Sequence, residues 1–120
     1  MSSPAADPEA VDDEPFRLRR LADGTAIVTA VVTLPPGWNQ QSATVQVVLP
    51  VAFPSAQPDC FYVEPSLRLA NGTMPANSGI QALDGQELLW FSWHLTTWSP
   101  ARDTIHSYLR FVELRLRDVH

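Results

Sequence analysis

The end of the chain limits its fold more than any other part. From Leu88 to Leu116 it reads LLWFSWHLTTWSPARDTIHSYLRFVELRL, an aromatic-rich segment, a Trp-Ser-Pro turn, and then a run with helical periodicity. Ile105, Leu109, Val112 and Leu116 recur at intervals of four, three and four, with Tyr108 beside them, so they share one face of a helix. Arg102, Arg110, Glu113 and Arg117 fall largely on the opposite side. The spacing predicts a helix that opens at Pro100 with Ser99 as its N-cap, since a serine oxygen can accept from the first-turn amides and proline has no N–H to leave unpaired there. One apolar stripe needs a surface to lie against.

The preceding chain supplies strands. Phe16 to Leu21 reads as a first strand, and Asp23-Gly24 is a two-residue hairpin signal. Thr25 to Leu34 is dense in β-branched residues and forms a second. Pro35-Pro36-Gly37-Trp38-Asn39 breaks it. Thr44 to Leu49 is a third, with Val45, Val47 and Leu49 alternating toward one face. Residues 49 to 65 carry Pro50, Pro54, Pro58 and Pro65; proline cannot donate to a ladder, so residues 50–58 are expected to be an extended crossing loop. Cys60 to Val63 is a short fourth strand. Residues 66 to 87, with Gly72, Pro75, Gly79 and Gly85, are expected to be irregular, the kind of long segment that carries function or moves. The fold class is therefore α+β: a four-stranded antiparallel meander covered by the C-terminal helix.

Composition narrows the function. At 120 residues the chain makes one domain with a real core, residues 16–120, preceded by an acidic tail over residues 1–15 expected to be disordered. That tail holds Asp7, Glu9, Asp12, Asp13 and Glu14 and no basic residue, so the remainder is close to neutral. All eight basic residues are arginine, which removes lysine chemistry such as Schiff-base formation or self-modification at a side chain. No basic footprint for nucleic acid is present. A single cysteine makes no internal disulfide. No secretory signal and no apolar run long enough to cross a bilayer is found, so a cytoplasmic location is expected, with no membrane association. Asn71-Gly72-Thr73 reads as a turn.

The ordered set of motifs resembles the ubiquitin-conjugating, or E2-like, superfamily (the UBC-like fold), and within it the branch called prokaryotic E2 family E. The pieces that carry the resemblance are Leu34-Pro35-Pro36-Gly37-Trp38-Asn39, Leu49-Pro50, Phe53-Pro54 and Pro58-Asp59-Cys60-Phe61-Tyr62. Downstream come Pro65, Gly72, Pro75, Phe91-Ser92-Trp93-His94, Trp98, Asp103 and the closing helix. The resemblance implies a part in a bacterial ubiquitin-like conjugation pathway, with an E1-like adenylating enzyme and a ubiquitin-like modifier as partners and no cofactor.

Conjugation by this route needs a cysteine thiolate that exchanges into the modifier thioester before an amine attacks it. Counted back from the Trp-Ser-Pro turn, the superfamily's nucleophile falls at Trp90 or its neighbours, where no cysteine stands, and tryptophan forms no thioester. Two classes of function therefore compete: an active conjugating enzyme with a relocated nucleophile, and a binding module that presents a modifier or an E1-like partner noncovalently. Cys60 is either that nucleophile or a buried apolar side chain beside Phe61. Asp59 next to it raises the thiol pKa by like-charge repulsion. His94 either orients an incoming amine or stabilises an oxyanion, or is a structural histidine under the Trp98 turn. Trp90, Trp93 and Trp98 form core or a protein-binding patch. Asn71 and Asn77 lie where the superfamily places an oxyanion-stabilising asparagine. His94, His106 and His120 have no metal-ligand spacing with Cys60, so no metal site is expected. The expectation that ties these together is that residues 88–94 come to the surface beside the sheet as a docking or transfer site.

Overall fold

The computed structural model describes residues 16–93 and 96–120; the acidic tail, His94 and Leu95 lie outside the described residues. Six strands and one helix follow in order: β1 (Arg17–Arg20), β2 (Ala26–Thr33), β3 (Ser42–Leu49), β4 (Phe61–Val63), β5 (Ser78–Leu83), β6 (Gln86–Phe91) and α1 (Ile105–Arg117). All pairs are antiparallel, in the sheet order β1-β2-β3-β4-β6-β5. The α+β layering is as expected, but the sheet has six strands rather than four. The two extra strands come from the segment read as irregular and from the aromatic run after it.

Two Asp-Gly dipeptides make the two tight hairpins, by different geometries. At the first, the Leu21 amide donates to the Thr25 carbonyl and the Gly24 amide to the Leu21 carbonyl, which leaves a three-residue loop instead of a two-residue one. Gly24 takes a φ of 92°, the left-handed step such a loop requires. Asp23 Oδ1 fixes the bend by accepting from the Thr25 amide at 2.9 Å and hydroxyl at 2.6 Å. The second, Asp84-Gly85, is the true two-residue turn between paired Leu83 and Gln86, with φ of 51° and 84°. Positive φ at both positions matches the twist of the flanking strands.

The core lies between one face of the sheet and the helix. Val28, Val45, Val47, Phe61, Val63, Leu89 and Phe91 point toward α1 and meet Tyr108, Leu109, Val112 and Leu116. Phe61 and Phe91, paired across β4 and β6, stack with centroids 4.6 Å apart. The helix begins five residues later than Pro100. Thr104 is its N-cap, its side chain accepting from the Ser107 amide while Ser107 Oγ accepts from the Thr104 amide, a capping box. Ser99 to Asp103 is a turn of its own, in which the Ser99 amide donates to Asp103 Oδ2 at 2.7 Å and the Ser99 carbonyl accepts from Asp103 at 2.7 Å.

Residues 66–77 do not follow a regular path, but they are tied down. Asn39 exchanges hydrogen bonds with Arg68, Ala70 donates to the Gly37 carbonyl, and Leu67 is fully buried. Trp38, from the Pro-Pro-Gly break, donates its indole N–H to the Leu116 carbonyl at 2.8 Å and so fastens the end of the helix.

The face turned away from α1 is not flat. Arg19 of β1 reaches Asp84 at the β5–β6 turn with a 2.9 Å ion pair, although the two strands lie at opposite edges of the sheet. Strand twist accumulates across a sheet of this width and brings two diagonal corners together over that face. Ile27 and Leu88, which alternate onto it, are buried there at 1% and 6% exposure.

Candidate functional site

The segment expected at the surface is divided between strand and loop. Leu88, Leu89 and Phe91 are buried inside the sheet as part of β6, which corrects the expectation for these three, while Trp90 between them is half-buried. Only Ser92 onward leaves the sheet. His94 falls outside the described residues, so its role as an amine-orienting group stays an expectation.

Strand alternation brings Cys60, Tyr62 and Trp90 together on the face away from the helix. Tyr62 pairs directly with Trp90 across β4 and β6, and Cys60 precedes Tyr62 by one full strand repeat. All three are half-buried. Burial pushes the Cys60 thiol above its ordinary value, with Asp59 adding to the effect, and hydrogen bonds from Tyr62 and Trp90 pull the other way without cancelling it. Burial, reinforced by the neighbouring Cys60, pushes the Tyr62 phenol up to about 12. At neutral pH the sulfur is therefore held as the thiol, the less nucleophilic form.

Trp90 occupies the position where the superfamily's nucleophile was expected, and it is locked by register. One edge of its ring passes beside Gly79 of β5, where an added Cβ would be 3.9 Å from indole Cε3. Trp93 and Trp98 serve different neighbours. The Trp93 ring stacks on Phe111 of α1 at 5.8 Å, its carbonyl accepts from the Tyr108 hydroxyl at 2.7 Å, and its buried indole N–H has no partner among the described residues. Trp98 donates its indole N–H to the Pro54 carbonyl at 2.7 Å and tilts against Phe53, which ties the proline-rich crossing to the turn before α1. The three indoles are thus half-buried supports at three places instead of one patch. Asn77 is exposed at φ 61° and offers its carbonyl to the Ser92 amide; Asn71 caps its own turn by accepting from the Thr73 amide.

Arg115 is the residue that periodicity should have singled out. It sits three beyond Val112 on the apolar stripe and is 1% exposed. Its guanidinium donates to the carbonyls of Ala76, Asp118 and His120, and lies over the rings of Phe91 and Trp93 at 5.2 and 5.4 Å. Burial lowers its pKa. It fastens the start of β5, the end of α1 and the base of the 92–98 segment. Tyr62 was also missed, although the two-residue spacing from Cys60 carries the signal.

Among the described residues no group of histidine, cysteine and carboxylate side chains could hold a metal ion, and no helix is long and apolar enough to cross a membrane. A cleft of about 430 Å³ lined by Thr44, Gln46, Glu64 and Leu88 lies on the same sheet face as Tyr62 and Trp90, Gln46 being the cross-strand partner of Tyr62, and one of about 490 Å³ is lined by Val31, Leu34, Glu113 and Arg117. Compared with known proteins, residues 4–119 match the family model described as Prokaryotic E2 family E. No curated protein and no solved structure matches the chain.

Proposed function

Since this chain belongs to prokaryotic E2 family E, we propose that it is the E2-like component of a bacterial ubiquitin-like protein conjugation pathway and that it presents the modifier noncovalently. The observation that carries the noncovalent reading is Trp90. It stands where the nucleophile, or its immediate neighbour, was expected, inside a strand paired on both sides, with Tyr62 of β4 and Gly79 of β5. In this reading the partners are an E1-like adenylating enzyme and a ubiquitin-like modifier, and the chain works in the cytoplasm. Trp93 and Trp98, on either side of His94 in the sequence, are anchored to α1 and to the proline-rich crossing, and His94 orients the incoming amine.

A second reading is favoured by one observation. Tyr62 and Trp90 each pull the Cys60 pKa down by hydrogen bonding, against the effect of burial, and such groups stabilise a thiolate once it forms. Here Cys60 takes the modifier as a thioester. Incubation with the cognate E1-like enzyme, modifier and ATP separates the two. The expected outcome is a complex that survives gel filtration yet leaves no thiol-sensitive band on a denaturing gel, for the wild type and Cys60→Ser alike. A thiol-sensitive band absent from Cys60→Ser would replace the first reading with the second.

A further inference from the structure

The two edges of the sheet are treated differently. β1 presents Arg17, Arg19 and Arg20, and charges on an edge strand discourage pairing with another chain. β5, SGIQAL, has no charge and no proline, and Ile80 is 45% exposed. Its register shows which backbone groups are free. The Ser92 amide donates to the Asn77 carbonyl, and the Asp84-Gly85 turn closes on Leu83 and Gln86, so Asn77, Gly79, Gln81 and Leu83 direct their amides and carbonyls toward β6. Ser78, Ile80 and Ala82 direct theirs outward, where no described residue pairs with them. One step earlier on the same outward register, the Ala76 amide already donates to the His120 carbonyl at 3.2 Å, with Arg115 bridging both.

We propose that the free edge of β5 binds an extended, uncharged peptide segment as an antiparallel seventh strand, and that the segment is the C-terminal tail of the modifier. The last clause rests on the function proposed above. Two arguments select the occupant. A six-residue edge is only about 20 Å long, too little for the roughly 1,200 Å² or more that a stable dimer buries, but enough for a short peptide held by main-chain bonds. Direction gives the second. A strand antiparallel to β5 runs parallel to β6, so its C-terminus emerges where Ser78 faces Phe91, about 10 Å (two strand spacings) from the start of the 92–98 segment. Residues that face Ile80 on the helix side would be apolar.

The probe is a fluorescent eight-residue peptide of alternating threonine and valine ending in two glycines, titrated into the full chain by anisotropy. Binding is expected, and Ile80→Lys, which places a charge on the edge, should weaken it about tenfold. Ile80→Pro removes an outward amide and should do the same, and circular dichroism reports whether each variant is folded. A peptide N-methylated at alternate residues should bind only when the methyl groups face away from β5. A nitroxide on the last peptide residue should broaden the amide signals of Ser92 and Trp93 and spare Asp84. Binding unaffected by either folded Ile80 variant overturns the site, and so does a dimer that is lost in Ile80→Lys. Broadening at Asp84 instead overturns the delivery of a C-terminus while leaving an edge site. Because the peptide assay needs neither enzyme nor modifier, its failure is distinct from failure of the conjugation assay.

Discussion

Cys60 shows how one residue can be chemically conspicuous and still be held quiet. Its thiol pKa is raised by burial, so alkylation by iodoacetamide at neutral pH should run slower than for the urea-unfolded chain and should climb as pH rises past the ordinary thiol range. Equal rates at neutral pH would mean that the sulfur is more open than its packing indicates. The two tyrosines give a second measurement. Tyr62 is pushed up to about 12 and Tyr108 is pushed up as well, both first by burial. An unfolded phenol loses its proton near pH 10, whereas these keep theirs, so above that pH the native state binds more protons than the unfolded one. The stability they confer is present below pH 10 and is lost as pH rises toward 12. Phenolate absorbance should therefore stay flat through pH 10 in the folded protein, then appear together with unfolding; an increase at pH 10 without loss of structure would contradict the burial of both rings.

Among the elements, the helix tests the capping geometry. Thr104→Ala should cost about 1 kcal/mol in urea unfolding, within the 0.5–2 kcal/mol range of lost N-caps, while Ser99→Ala should stay within about 0.5 kcal/mol. The reverse order would restore the helix start that the sequence suggested. That difference shows what was legible and what was not. The apolar stripe from Ile105 to Leu116 identified the helix and its buried face, because period 3.6 survives in any context. Its start was not legible, since Ser99-Pro100 and Thr104 both carry helix-opening chemistry and only the Asp103 carboxylate, folding back on the Ser99 amide, decides between them. The hairpin of β5 and β6 escaped for a related reason. Its Asp84-Gly85 turn carries the same dipeptide as the first hairpin, but Ile80 and Ala82 are exposed on an edge, so no alternation of burial marked the strand. At the candidate site the ordered prolines and tryptophans revealed the family. They could not reveal that Trp90 is a strand residue, which depends on pairing with β4 across an intervening stretch that itself includes β5.

For the whole molecule, Arg115 connects more of the structure than any core methyl group. Replacing it with methionine keeps the packing against Phe91 and Trp93 but removes charged hydrogen bonds to three carbonyls from two separate segments. At roughly 1.5–3 kcal/mol for a hydrogen bond to a charged group, a loss of at least about 2 kcal/mol is expected, read as a lower urea midpoint. Amide exchange should quicken first at Ala76 and Ser92. A variant as stable as the wild type would make Arg115 a passenger of the core. The Arg19–Asp84 pair works over a longer distance with much less energy, because both partners are about half exposed and such pairs contribute about 1 kcal/mol or less. It nonetheless closes a loop in the connectivity of the molecule, joining the first strand to the last hairpin by a route the hydrogen-bonded ladder does not take. A weak clasp of that kind makes the arch of the sheet responsive to ionic strength, so the shape of the face over Ile27 and Leu88 is set partly by the surrounding electrolyte and not by packing alone.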